Sequence, residues 1–576
     1  MPPLRNPILP GFHPDPSIVR VANTYYIATS TFEWFPGVRI HASSDLATWH
    51  TIQPPPLTRA SQLDMRGNPD SCGVWAPCLS HDARTSTFYL VYTDVKRKDG
   101  SFKDAHNYIV TARDIAGPWS DPVYVNSSGF DPSLFHDGAT GKKYFVNMLW
   151  DHRQRGGKSG KSAFAGIACQ EWDAGSQKLV GERRTIFKGT EHALVEGPHM
   201  YKRGGWYYLL TAEGGTSYGH ASTLARSRSV WGPFDDADGD RNGDGPGVHP
   251  QRHILTAKDA PSAALQKAGH ASFVDTPDGE KTYLVHLCGR PVRKKGRCVL
   301  GRETSIQECY WADDEWLYVK NGPVPSLWVD VPGTRDESEY WKEKRYTFGG
   351  DGSKADAGPW GLDPDLQWLR TPEPERIFRV GGDDNNQLIL YGRESIGSWF
   401  EQALVARRQT HFSYDAETLV DFQPNDERQF AGLTAYYCAY NFYYLTISSS
   451  SEGTTRELAL MISNVSWPDG CLDEQPLLEP VEIPNKGKVR LALSIRGGET
   501  LQFQWAMEGE DELKNIGPVL DASILSDECG GHQTHGSFTG AFAGVACSDL
   551  NGTAMEARFD YLLYRPIKHE SDRQDE

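Results

Sequence analysis

One phrase recurs five times in the first 290 residues of this chain, and it leaves few architectures open. Each copy opens on a short stretch closed by Pro or Ala and runs into a brief apolar strand. It then turns through polar residues and returns as a second strand rich in aromatic or β-branched side chains. The copies begin His13-Pro14-Asp15-Pro16-Ser17, Val74-Trp75-Ala76-Pro77-Cys78, Gly129-Phe130-Asp131-Pro132-Ser133, Val195-Glu196-Gly197-Pro198-His199 and Gly269-His270-Ala271-Ser272-Phe273. Counted at Asp15, Trp75, Asp131, Glu196 and His270, they are separated by 60, 56, 65 and 74 residues, enough for a four-stranded antiparallel unit with its connections. Strand-like alternation fills each copy, at 24–29, 87–92, 143–148, 205–210 and 281–286. Radial repetition of such units protects sheet edges, so a five-bladed β-propeller is predicted over residues 1–330. Two echoing phrases, Gly117-Pro118-Trp119 and Gly232-Pro233-Phe234, read as blade-end turns.

No sixth copy follows. Residues 331–345 form a charged, turn-prone stretch, read as a linker. From 346 to 576 alternating segments at 418–422, 443–447, 489–494 and 501–505 predict a second β domain, a jelly-roll-like β-sandwich. The expected class is therefore all-β in two domains, and a length of 576 residues is too great for one ordinary domain and suits two, or three at the limit.

Asp and Glu outnumber Lys and Arg by 76 to 59, a formal charge of -17 that argues against nucleic acid or an anionic membrane as the main partner. No membrane-length apolar run and no signal-peptide pattern are visible. The ten cysteines show no metal-type spacing and read as buried thiols. A cytoplasmic location is the expectation; whether the chain forms a homo-oligomer is left open. Three tempting motifs are set aside. Ser217 sits in a Gly-x-Ser-x-Gly match but between two strands, where a nucleophile elbow needs a helix. Gly160-Lys161-Ser162 lacks the upstream Gly of a phosphate loop, because Arg155 stands there. The acidic run 236–245 opens like a calcium loop but has His249 where the closing Glu belongs.

The chemistry rests on carboxylates. Asp15, Asp131 and Glu196 head three different copies, and a ring brings those heads to one axis. Asp-Pro is a common turn, so Asp15 or Asp131 alone would signify little. Together with Glu196 they supply what glycosidic cleavage needs: one carboxyl to protonate the leaving oxygen and another to act at the anomeric carbon.

These motifs, joined by Leu300-Gly301-Arg302-Glu303-Thr304 and the tail segment Ser537-Phe538-Thr539-Gly540, resemble family 43 glycoside hydrolases, and more closely their two-domain β-xylosidases. The likeness spans nearly the whole chain. It implies an inverting mechanism with Asp15 as general base, Glu196 as general acid, and Asp131 orienting Glu196 and raising its pKa. It also implies sugar contacts from Phe32, Trp75 and Arg302, and a sandwich residue, Phe538, closing the pocket mouth. His270 corresponds to an axial histidine beside which some members bind a divalent ion, so Ca2+ at the axis is raised next to a plain core role; no cofactor is required for the chemistry. The activity implied is exo-acting β-1,4-xylosidase on xylobiose and short xylo-oligosaccharides. α-L-Arabinofuranosidase on arabinosides is the near alternative, and a non-catalytic carbohydrate-binding propeller the distant one.

Overall fold

The computed structural model describes residues 3–98, 102–154, 163–235, 245, 247–348, 358–381, 386–450, 453–464, 475–476, 478–530 and 537–568. Five four-stranded antiparallel sheets occupy its first half, each with strands paired in chain order. Their first strands are Ser17–Val21, Gly73–Asp82, Ser133–His136, Glu196–Arg203 and Gln266–Asp275, and these contact one another in sequence around a closed ring. This is the five-bladed propeller. Second strands such as Thr87–Arg97 and Lys143–Trp150 are buried along most of their length, because each blade packs between two others.

The ring is sealed by the N-terminal segment. Leu4–Arg5 pairs with Trp328–Val329. The Asn6 side chain donates to the carbonyls of Ile306 (2.8 Å) and Ser326 (3.0 Å) and accepts from the Ile306 amide (2.9 Å). At the inner seam, Ser272 Oγ accepts from the Ile18 amide at 2.8 Å and donates to the Pro16 carbonyl at 3.1 Å. Chain ends 300 residues apart are thus joined by buried hydrogen bonds that would each be costly to leave unmade.

At the head of every first strand the backbone turns left-handed. The residues are Asp15 (φ 54°), Ala76 (φ 37°), Asp131 (φ 52°), Gly197 (φ 56°) and His270 (φ 46°). Four of the five precede a proline. Non-glycine residues rarely hold this conformation, and it gathers where function needs it. The kink also corrects the alignment of the copies. Asp15 and Asp131 occupy the kinked position, whereas Glu196 and Trp75 stand one residue before it. The three carboxylates therefore do not share one structural place. Two are equivalent, and Glu196 projects from the preceding position.

The second domain is a sandwich of two antiparallel sheets. Its alternation is clear in Tyr414–Asp421, where every other residue is buried. The boundary differs from the sequence expectation at two points. Lys344–Thr347, which starts inside the segment read as linker, pairs with the final strand Glu556–Pro566. Within the propeller sequence, Trp34–Phe35 leaves its blade and adds to the sandwich through Leu366–Leu369. Trp34 then stacks on Phe542 with ring centroids 3.7 Å apart. Fully buried Arg370 pairs with Asp70 at 2.8 Å and donates to the Asn68 carbonyl and to Gln402. Two apolar clusters consequently draw residues from both domains. The nine cysteines among the described residues are unbridged. Among the described residues, no helix is long and apolar enough to cross a membrane.

Ser217 lies in the turn between Trp206–Glu213 and Ala221–Ser227, without the helix an elbow requires. Residues 155–162 and most of the acidic run, 236–244, lie outside the described residues. His249 is buried within the strand Gly247–Thr256.

Candidate active site

The five kinks converge where the ring begins, and Asp15, Asp131 and Glu196 are all buried there. Asp15 is the most heavily partnered. Ser30 Oγ donates to its Oδ2 at 2.6 Å and Arg302 Nη1 to its Oδ1 at 3.1 Å, while His270 Nδ1 lies 3.7 Å from Oδ1. Ser30 also accepts the Ala76 amide at 2.7 Å, which ties the kinks of blades one and two to one hydroxyl. Burial opposes ionisation of Asp15, but Arg302, His270 and Ser30 together outweigh it and hold the carboxyl below its ordinary range.

Asp131 and Glu196 are pushed the other way. Burial raises Asp131 to about 6 against the pull of His270, with Asp15 adding to the rise. Its Oδ2 accepts the Gly197 amide at 3.0 Å, so the residue after Glu196 is pinned to Asp131. Glu196 is raised well above the carboxylate range, first by burial and then by the Asp131 and Asp15 charges. Its Oε1 is buried with no hydrogen-bond partner in the protein. The site thus holds one carboxylate built to stay ionised and one carboxyl built to keep its proton. Gly197 admits no side chain: besides its positive φ, a Cβ would stand 3.1 Å from the His270 ring.

Aromatic rings wall the space beside these groups. Phe32 lies 6.1 Å from Trp75 and 5.9 Å from Phe538, and Trp75 meets Phe538 edge-on at 5.9 Å. Phe538 comes from the sandwich and is half-buried. Its amide donates to Ser71 Oγ at 3.1 Å, and its carbonyl accepts from Arg302 Nη2 at 3.2 Å. Arg302 therefore bridges Asp15 and the second domain, with its guanidinium 5.4 Å from the Phe32 ring and 5.2 Å from the Phe538 ring. Its Nε is buried without a hydrogen-bond partner. All eight residues singled out from sequence meet in this one region.

His270 also belongs to it, against Gly197 and facing Asp15. Its imidazole neighbours His199 and His220 are both driven by burial to about 3, so they are neutral nitrogens. Calcium takes about six to eight oxygen ligands. Among the described residues no set of three or more His, Cys, Asp or Glu side chains is disposed for a metal. The groups around His270 do not fit a calcium ion held by the protein.

Several contributors escaped the sequence reading. Ser30 and Ser71 carry no signal beyond being serine. Lys98 and Lys103 belong to a residue type ordinarily left in solvent, yet Lys98 Nζ lies 5.0 Å from the Phe538 ring and Lys103 Nζ 5.8 Å from the Trp75 ring.

Comparison with known proteins matches this architecture domain by domain. Residues 4–317 fit the profile of glycosyl hydrolases family 43, and residues 360–565 that of the beta xylosidase C-terminal concanavalin A-like domain. The chain belongs to glycosyl hydrolase family 43. It is 67% identical over 573 residues to xylosidase/arabinosidase 43B of Humicola insolens, covering 100% of this chain and 99% of that one. It is 44% identical to the beta-xylosidase of Bacillus subtilis strain 168, covering 98% and 99%. The crystal structure of xylan beta-1,4-xylosidase from Bacillus halodurans C-125 superposes with a TM-score of 0.85 at 44% identity, covering 98% of this chain and 100% of that one. This family 43 chain is thus a glycoside hydrolase with a five-bladed propeller and a C-terminal sandwich over its whole length.

Proposed function

We propose that the enzyme is an exo-acting, inverting β-1,4-xylosidase that removes xylose from the non-reducing end of xylobiose and short xylo-oligosaccharides. The observation that carries this reading is the opposed tuning of Asp15 and Glu196. Asp15, held ionised by Arg302 and Ser30, takes a proton from water as that water attacks the anomeric carbon. Glu196, held protonated, gives its proton to the departing oxygen. In the inverting scheme the two act on opposite faces of the sugar, with carboxyls roughly 6.5–9.5 Å apart so that water fits between. Asp131 serves both steps indirectly: its charge keeps Glu196 protonated, and its bond to the Gly197 amide orients the strand head. Buried Arg302 Nε and Glu196 Oε1 are the polar atoms that sugar oxygens would satisfy, and Phe32, Trp75 and Phe538 supply the apolar walls. The chemistry draws on protein side chains alone.

End-wise action follows from Phe538. A sandwich segment bound to Ser71 and Arg302 closes one side of the space, which favours a chain terminus over a chain interior. The name of the Humicola relative joins xylosidase with arabinosidase, and this site does not separate the two sugars by charge. Rates on 4-nitrophenyl β-D-xylopyranoside and 4-nitrophenyl α-L-arabinofuranoside test the assignment. The xyloside is expected to have the higher kcat/KM; turnover confined to the arabinoside would refute the reading.

The pH profile follows from the same groups. Rate is lost on the acid side as Asp15 gains a proton and on the alkaline side as Glu196 loses its own. Asp131→Asn keeps an acceptor for the Gly197 amide but removes the charge that raises Glu196. The alkaline limb of kcat/KM is therefore expected to move to lower pH while the acid limb is retained. An unmoved alkaline limb would take Asp131 out of this role.

A further inference from the structure

Beside the catalytic pocket a cleft of about 250 Å3 opens between blades two and three. Its floor includes Trp150, which continues the aromatic wall outward: Trp75 meets Phe130 edge-on at 5.3 Å, and Phe130 lies 6.2 Å from Trp150. At its edge the Phe102 ring stacks on His152, with centroids 4.6 Å apart and planes 27° from parallel. Phe102 is 62% exposed, among the most exposed large apolar side chains of the protein. Polar groups stand around it. Lys103 Nζ lies 4.7 Å from the Trp150 ring, and His106 Nδ1 is 2.7 Å from Ser127 Oγ.

We propose that Phe102 and His152 form a platform for the second sugar of the leaving group, the third xylose unit of xylotriose. This rests on the xylosidase reading and extends it to chain length. The direction is set by charge and closure. Arg302, Asp15, Phe32 and Phe538 close the side that holds the terminal sugar. Lys103, whose charge acts on Glu196, lies between the pocket wall and the cleft, its Nζ 5.8 Å from the Trp75 ring and 4.7 Å from the Trp150 ring. A chain leaving past Glu196 passes Lys103 and Trp150 before it reaches Phe102. An aromatic face left to solvent at that point matches the C–H face of a pyranose, and the surrounding hydroxyl, imidazole and ammonium groups match its edge.

Steady-state kinetics on three substrates test this. Phe102→Ala removes an exposed ring, so the fold should be indifferent to it. It is expected to lower kcat/KM on xylotriose about fivefold to tenfold, the scale of one aromatic contact. The loss should fall chiefly in KM. Xylobiose and 4-nitrophenyl β-D-xylopyranoside, which do not reach the platform, should stay within about twofold, and Phe102→Trp should restore xylotriose. Equal losses on all three substrates, or no loss on xylotriose, would overturn the platform. A wild-type enzyme idle on every xyloside would instead overturn the xylosidase reading, and with it the occupant named here.

Discussion

Glu196→Gln is expected to lower kcat on xylobiose by about 10³-fold, within the range of about 10²–10⁴ that a positioned general acid contributes. The amide preserves shape and cannot give up a proton, so the departing sugar alkoxide leaves unassisted. The same substitution should cost far less on aryl xylosides with acidic phenols, because those leaving groups need little protonation. A plot of log kcat against leaving-group pKa should therefore steepen in the variant. Affinity for xylose should persist, which separates an enzyme from a non-catalytic sugar-binding propeller. An unchanged rate on xylobiose would remove Glu196 from the mechanism.

Asp15→Asn should be at least as damaging, by about 10⁴-fold at the upper end of the same range, but with a different signature. Water activation is required whatever group departs, so xylobiose and activated aryl xylosides should lose rate alike. A secondary consequence reinforces the loss. Ser30 Oγ and Arg302 Nη1 both donate to Asp15, and Arg302 is almost fully buried. Removing the carboxylate charge leaves the guanidinium with only a neutral amide in its place. Activity of Asp15→Asn recovering on good leaving groups would exchange the roles assigned to Asp15 and Glu196.

The fold was legible because its unit repeats. Proline after Asp15, Ala76, Asp131 and Gly197 marks four of the five strand heads, and the aromatic return strands mark each blade. The same proline fixes the one-residue offset of Glu196 and Trp75, but that signal surfaces only when the copies are aligned on proline rather than on the carboxylates. The carboxylates themselves could be found because their chemistry requires acidic residues. What could not be read is contact between distant segments. Trp34 and Phe35 look like any pair of aromatics, and only the partner strand at Leu366–Leu369 makes them part of the sandwich. Ser30, Ser71, Lys98 and Lys103 belong to residue types ordinarily left at the surface. Their placement is decided by tertiary packing, for which neither periodicity nor spacing exists in the chain. Arg370 and Asp70, 300 positions apart, are hidden for the same reason.

Everything turns on one ionised and one protonated carboxyl facing the same glycosidic bond from opposite sides. Proton NMR of the first sugar released from xylobiose or an aryl β-xyloside, followed before mutarotation mixes the anomers, reads that arrangement directly. Initial appearance of α-xylose is the predicted result. Initial appearance of β-xylose would contradict it.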